Sequence, residues 1–215
     1  YIAIRRPMKT PESGTEVFAI DTRSATTPAF SSNFPVDFFT YRDKTGSDWY
    51  SQSRLTGGGT LYFNSTGAAN SIGGIGNENF DYQNGVMSST VNLPNLFSYM
   101  FKRATGFMDV VAYSGDGIAG STQSHNLGVV PECMIVKRRD GVSSWITYWD
   151  ALGATKGQFF DTNQAFTSSS YWSDTAPTAT QLTLGSGSTN NSGATFISYL
   201  FATLAGVSKV GSYTG

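Results

Sequence analysis

The chain has 215 residues, a formal net charge of −1, 13% charged side chains, 14% aromatics and 24 glycines. Such a balance leaves no basic field for a nucleic-acid duplex or an anionic membrane surface, and no run approaches the roughly 18 consecutive apolar residues of a membrane span. High aromatic and turn-former content with a single cysteine describes an all-β protein of short strands without internal disulfides.

Residues 1–7, YIAIRRP, read as a strand ended by proline. The first residue is Tyr1 and no signal peptide precedes it, so the chain is read as a fragment or a processed product. An alternating strand follows around 16–20, and a polar stretch leads through Pro28 to Pro35. Behind Pro35 stand Phe38, Phe39 and Tyr41, then Arg42, a turn at Gly46, and Trp49-Tyr50. Val110 to Tyr113 form a further strand, SGDGIAGS a glycine-rich loop, and SHNLGVVP a turn.

The best-specified stretch is 131–149, PECMIVKRRDGVSSWITYW. It reads as a β-hairpin over a tight Asp140-Gly141 turn, because Asp-Gly tolerates positive φ and both flanks are rich in β-branched and aromatic residues. Its return strand places Trp145, Thr147 and Trp149 on one face and Ile146 and Tyr148 on the other, which implies a sheet covered on both sides. A strand at 157–161, a YWSDTAP loop at 171–177, a short QLTLG strand and a closing strand at 194–202 complete the chain. In the last, Phe196, Ser198 and Leu200 alternate with Ile197, Tyr199 and Phe201. No amphipathic helix longer than two turns is expected.

The sequence repeats. Setting Pro35 on Pro131, a shift of 96, also sets Arg42 on Arg138, Ser47 on Ser143, Trp49 on Trp145 and Phe63 on Phe159. YIAIRRP at Tyr1, YMFKRATG at Tyr99 and YLFATLAG at Tyr199 correspond, as do FMDVVAYSGDG at Phe107 and VSKVGSYTG at Val207. A fixed period of this size makes each unit a small domain. The expected organisation is two tandem β-sandwich, jelly-roll-like domains with short antiparallel strands, at 1–104 and 105–205, with 206–215 beginning a further repeat or a C-terminal strand. Their cores are expected to stack end to end.

The inventory for catalysis is thin. His125 is the only histidine, so no histidine-based metal cluster forms within one chain. It lies eight residues before Cys133, within SHNLG, and reads as a turn histidine capped by its neighbours rather than the base of a nucleophile pair. Most acids, among them Asp21, Asp43, Asp116, Asp140, Asp161 and Asp174, stand where turn capping explains them, which disfavours a paired-carboxylate glycosidase. The chain therefore reads as a non-enzyme without cofactor or metal. Asp161-Thr162-Asn163 offers oxygens of the kind calcium takes but reads as a turn. Gly57-Gly58-Gly59 and Gly73-Gly74-Ile75-Gly76 lack the lysine and helix of a phosphate-binding loop. The Lys137-Arg138-Arg139-Asp140 cluster reads as the solvated end of a hairpin, and Trp145 and Trp149 read as core. The candidate glycan- or receptor-binding residues are Tyr171, Trp172 and Asp174, since flat rings cover apolar sugar faces while a neighbouring carboxylate takes hydroxyls.

The runs SHNLGVVPECMIVKRRDGVSSW, LGATKG, YWSDTAPTATQLTLG and SGATFISYLFATLAGVSKVGSYTG resemble a domain of uncharacterised function that recurs in tail-fibre-like and other virion proteins of marine phages. The second unit is similar along nearly all its length, with Ser173 where asparagine is usual. The first unit is less similar, carrying Tyr62, Tyr82 and a GIGNENF loop in place of the tryptophan-aspartate loop. The resemblance implies a non-enzymatic virion structural protein, a tail or surface fibre that contacts the host or positions that contact. A capsid decoration protein and a glycan-binding adhesin module are the alternatives. Implied partners are other virion proteins, further copies of the chain in a homo-oligomer, with a trimer expected, and a host-surface glycan, with the protein on the virion exterior. No nucleic-acid partner and no membrane insertion are expected.

Overall fold

A computed structural model of the chain describes residues 8–46, 48–57, 59–70, 79–86, 95–162 and 165–213. The first seven residues, Ser47, Gly58, the glycine run at 73–76, the rest of the GIGNENF loop before Asn79, Asn163 and residues 214–215 lie outside them.

The described chain is all-β and antiparallel. Its strands are β1 (Phe18–Thr22), β2 (Phe30–Ser31), β3 (Phe38–Asp43), β4 (Trp49–Ser53), β5 (Leu61–Tyr62), β6 (Gly85–Val86) and β7 (Leu96–Phe101) in the first half. The second half holds β8 (Met108–Ser114), β9 (Thr122–Ser124), β10 (Cys133–Arg138), β11 (Ile146–Trp149), β12 (Lys156–Phe159), β13 (Thr167–Ser168), β14 (Gln181–Thr183) and β15 (Thr195–Phe201). Helical structure among the described residues is limited to three-residue 3-10 turns.

The sequence repeat reappears as a repeated topology. One large sheet runs β1-β7-β3-β4-β5 and the other β8-β15-β10-β11-β12-β13. In each, the first strand pairs with the last, the last pairs with the strand that follows the aligned proline, and hairpin connections build outward from there. Two-stranded sheets, β2 with β6 and β9 with β14, form a second layer in each half.

Strand alternation then decides which side chains meet. In β7, Leu96, Ser98 and Met100 are buried on the outer face, and in β15, Phe196, Ser198 and Leu200 hold the matching places. These outer faces pack under the small layers. Phe30, Phe39, Tyr41 and Val86 join Leu96 and Met100 in one core, and Leu127, Tyr148, Trp172 and Leu182 join Phe196 and Leu200 in the other. Each half is therefore a sandwich with its own core.

The two halves do not stack end to end. Their large sheets face each other, and the inner faces build a third core from Phe38, Leu61 and Phe63 on one side and Val110, Trp145, Ile197 and Tyr199 on the other. Phe38 meets Tyr199 at 4.2 Å between ring centroids and Phe63 meets Trp145 at 4.6 Å. Pairs at these spacings contribute about 0.5–1.5 kcal/mol beyond the area they bury. Both inner faces are aromatic, and covering both at once removes more apolar surface from water than an end-on contact could. Polar bonds cross the same seam: Trp145 Nε1 donates to the Tyr62 carbonyl at 2.8 Å, Ala69 N to Arg139 O at 2.6 Å, and Ser143 N to Thr66 O at 2.9 Å.

The central hairpin differs from expectation in its turn. Cys133 pairs with Trp149 and Val136 with Ile146, but the ladder stops there and residues 139–145 form the connection. Gly141 has no positive φ. Arg139 leaves the ladder because its N–H bonds Thr195 O at 2.7 Å and its carbonyl takes the bond from Ala69. Neighbouring strands and the facing unit thus override the local Asp-Gly preference.

Between β7 and β8 the chain turns at residues 104–108, where Ala104 bridges Met108 and Gly106 has φ 78°. The same turn recurs after β15, with a Leu204–Ser208 bridge and Gly206 at φ 78°. At the first turn, buried Asp109 accepts from Arg103 Nε at 2.5 Å and from Asn126 N at 2.6 Å, which ties the junction to the second unit.

Candidate functional site

Tyr171, Trp172 and Asp174 do not converge on an open site. Trp172 is fully buried and meets Tyr148 edge-on at 5.7 Å, so its indole is not available to stack on a sugar. The cause is the loop itself: Ser173 and Asp174 both adopt left-handed backbone, φ 48° and 51°. That reversal, fixed by Ser173 Oγ on Leu184 O at 2.9 Å and Thr175 N on Trp172 O at 3.0 Å, turns the ring inward. Tyr171 is half-buried against Phe159 at 6.0 Å, and its carbonyl holds Gly185 N and Thr189 Oγ1. Only Asp174 is exposed.

The remaining polar candidates serve the fold. His125 is buried, accepting Leu127 N at Nδ1 (3.2 Å) and using Nε2 on Thr178 O (3.1 Å), an arrangement that leaves Nε2 protonated. Burial holds its pKa below the ordinary histidine value. Cys133 lies on the inner face of its sheet, where burial pushes the thiol up to about 12, far from the thiolate a nucleophile needs. Asp116 accepts from Ile118 N at 2.8 Å, Ser121 Oγ at 2.6 Å and Asn190 Nδ2 at 2.7 Å, led by Ser121 in holding its carboxyl below the usual range. Asp161 Oδ1 accepts from Trp145 N at 3.3 Å. Among the described residues, no group of three His, Cys, Asp or Glu side chains could hold a metal ion.

The basic cluster also differs from expectation. Lys137 is fully buried at the seam, with Nζ on the carbonyls of Thr66 (3.1 Å), Arg138 (2.9 Å) and Ser143 (2.8 Å). Desolvation pushes its ammonium down to about 8. Arg139 reaches across the seam to Thr56 O at 3.0 Å. Lys137 and Arg139 thus hold the two units together, while Arg138 pairs with exposed Asp140 at 2.7 Å on the solvent side.

The open concave surface lies elsewhere, where the two large sheets diverge. A groove of about 640 Å³ has Phe18, Tyr99 and Trp49 on one wall, Cys133, Trp149 and Phe201 on the other, and residues 207–211 along its lip. Among the described residues, Lys209 is the only charged side chain lining it. Across Val210 and Gly211, a second cleft of about 420 Å³ sets Trp149, Leu152 and exposed Phe166 beside Glu132, Asp150 and Gln158. Trp149 belongs to both and is half-buried, not core. Strand alternation carried a signal for this surface: Phe97, Tyr99 and Phe101 stand opposite Leu96, Ser98 and Met100, so aromatics occupy the inner face of β7. Which aromatics stay uncovered depends on how the sheets diverge, and no local pattern records that.

Among families of known proteins, residues 82–215 match one described as Domain of unknown function (DUF7483). No curated protein and no solved structure matches. The matched span holds the last strands of the first unit and the whole of the second.

Proposed function

This chain belongs to the domain family of unknown function DUF7483, and we propose that it is a non-enzymatic virion structural protein, a module of a tail or surface fibre that positions host contact. The observation that carries the reading is the repetition of one sheet topology in both halves, packed face to face through an aromatic core. A repeat whose surface fits another copy of itself is a building element, because the same contact can extend or close an assembly. The titratable groups support this reading by their employment: His125, Asp109 and Lys137 are buried and bonded to backbone or to one another's loops. The low charge and the polar, glycine-rich loops suit an exposed and durable surface.

Immunogold labelling of purified particles with antibody against the chain tests the role. Label along tail or surface fibres is the expected result, uniform label over the shell would make it a capsid decoration protein, and particles without label would overturn the reading.

A second reading, a glycan-binding adhesin module, draws on the 420 Å³ cleft, where Trp149 and Phe166 offer flat faces beside the carboxylates of Glu132 and Asp150. It predicts saturable binding on a glycan array, weakened about tenfold by Phe166→Ala, roughly the loss of one stacking contact. An array without a saturable signal would end it.

A further inference from the structure

Each large sheet buries part of its inner face against the inner face of another copy of the same repeat, and part of both faces is left over. That remainder is the 640 Å³ groove. It is continuous with the shared core, since Phe18, Trp49 and Phe101 on one wall and Phe201 on the other also pack against that core. On the same face of β1 as Phe18, Ile20 is 59% exposed. A contiguous aromatic surface with, among the described residues, a single charge at its lip is the signature of a covered face.

A second observation comes from the segment that forms the lip. The turn at 204–208 reproduces the turn at 104–108, and beyond it Val210, Tyr213 and Gly215 repeat Val110, Tyr113 and Gly115 in sequence. In the first copy Val110 and Tyr113 lie in β8, which pairs with β15 from Met108 to Ser114. There Tyr113 stacks on Phe196 at 5.2 Å and donates its hydroxyl to Thr189 O at 2.7 Å. Residues 209–213 carry the same sequence pattern but belong to no strand, and Tyr213 is 95% exposed.

We propose that the groove and the adjoining 208–213 segment form a self-association face whose occupant is a second copy of this chain. The reason to choose a copy over an unrelated partner is on the molecule: this kind of inner face already takes another such face as its cover, with rings meeting at 4.2 and 4.6 Å. The contact is isologous, each groove receiving inner-face and lip residues of the other chain. The inference does not depend on the role proposed above.

Sedimentation velocity on the full 215-residue chain tests it, with a Val210→Asp/Tyr213→Asp variant beside wild type. Both positions lie outside the strands, so the variant should unfold at the wild-type temperature. Wild type should pass from monomer to a closed oligomer below about 100 μM, and the variant should need a concentration at least on the order of 30-fold higher, the loss expected from one interface anchor. Folded wild type that stays monomeric throughout overturns the proposal. A folded variant that associates as wild type does overturns the assignment to this face.

Discussion

Replacing Lys137 by methionine should destabilise the protein by an amount that grows with pH. The ammonium bonds carbonyls of Thr66 from the first unit and of Arg138 and Ser143 from the second, at 3.1, 2.9 and 2.8 Å. Methionine has a comparable length and no donor. Stripping these buried carbonyls of that partner costs about 3–6 kcal/mol in all, allowing for the bond Thr66 O keeps from Ser143 N. Against this stands the cost of burying a charge. The folded pKa of about 8 lies below the ordinary 10.5, which corresponds to about 3 kcal/mol borne by the wild type at neutral pH. The net loss in Lys137→Met at pH 7 is then about 0–3 kcal/mol. Between pH 8 and 10.5 the unfolded chain binds more protons than the folded one, so wild-type stability from this group rises across that window. At pH 10 most of the charge cost has gone, and the loss in the variant should be larger than at pH 7 by about 2–3 kcal/mol. Urea unfolding of both proteins at pH 7 and pH 10, followed by tryptophan fluorescence, measures that difference. Other titrating groups, buried tyrosines included, cancel in the comparison. An equal loss at both pH values would refute the reasoning, since it would mean that Lys137 titrates as an exposed lysine does.

Trp172→Ala should cost about 3–5 kcal/mol and lower the thermal midpoint without touching ligand binding, because the ring fills the second core; an unchanged midpoint would return Trp172 to the list of binding residues. Gly185→Ala should cost about 1–3 kcal/mol, since its Cβ would sit 2.1 Å from Ser170 O. Gly187→Ala, two residues on, meets no atom within 4 Å and bears only its positive φ, at about 1 kcal/mol; equal effects in calorimetry would contradict the packing account. For His125 burial keeps the folded pKa below that of the unfolded chain, so the stability it contributes is present at neutral pH and is lost as pH falls through 6.5 and below. Urea titrations at successive pH values should show a shallower acid loss in His125→Gln, and identical acid profiles would count against this assignment.

The legible part of the fold was the part set by neighbours in sequence. Alternation in 145–149 and 195–201 placed Ile146, Tyr148, Phe196 and Leu200 on one face and Trp145, Ile197 and Tyr199 on the other, and the sheets keep that division. The repeat visible at Pro35 and Pro131, and at Tyr99 and Tyr199, became a shared strand order. The candidate site was far less legible. YWSDTAP looked like an exposed loop because aromatics beside serine, aspartate and proline usually are, but two consecutive left-handed residues turn Trp172 into the core. Nothing in the seven letters prescribes that reversal; the hydrogen bond from Ser173 to Leu184, eleven residues away, stabilises it.

Strand identity, face and repeat are short-range properties, since a side chain's neighbours two positions away share its face whatever the rest of the chain does. The burial of Lys137, the half-burial of Trp149 and the existence of the groove are long-range ones. They arise because Thr66 and Ser143, or Phe63 and Trp145, meet across about eighty residues of chain when two aromatic faces exclude water together. Where the faces meet they make a core, and where they part the same residue types make an open surface.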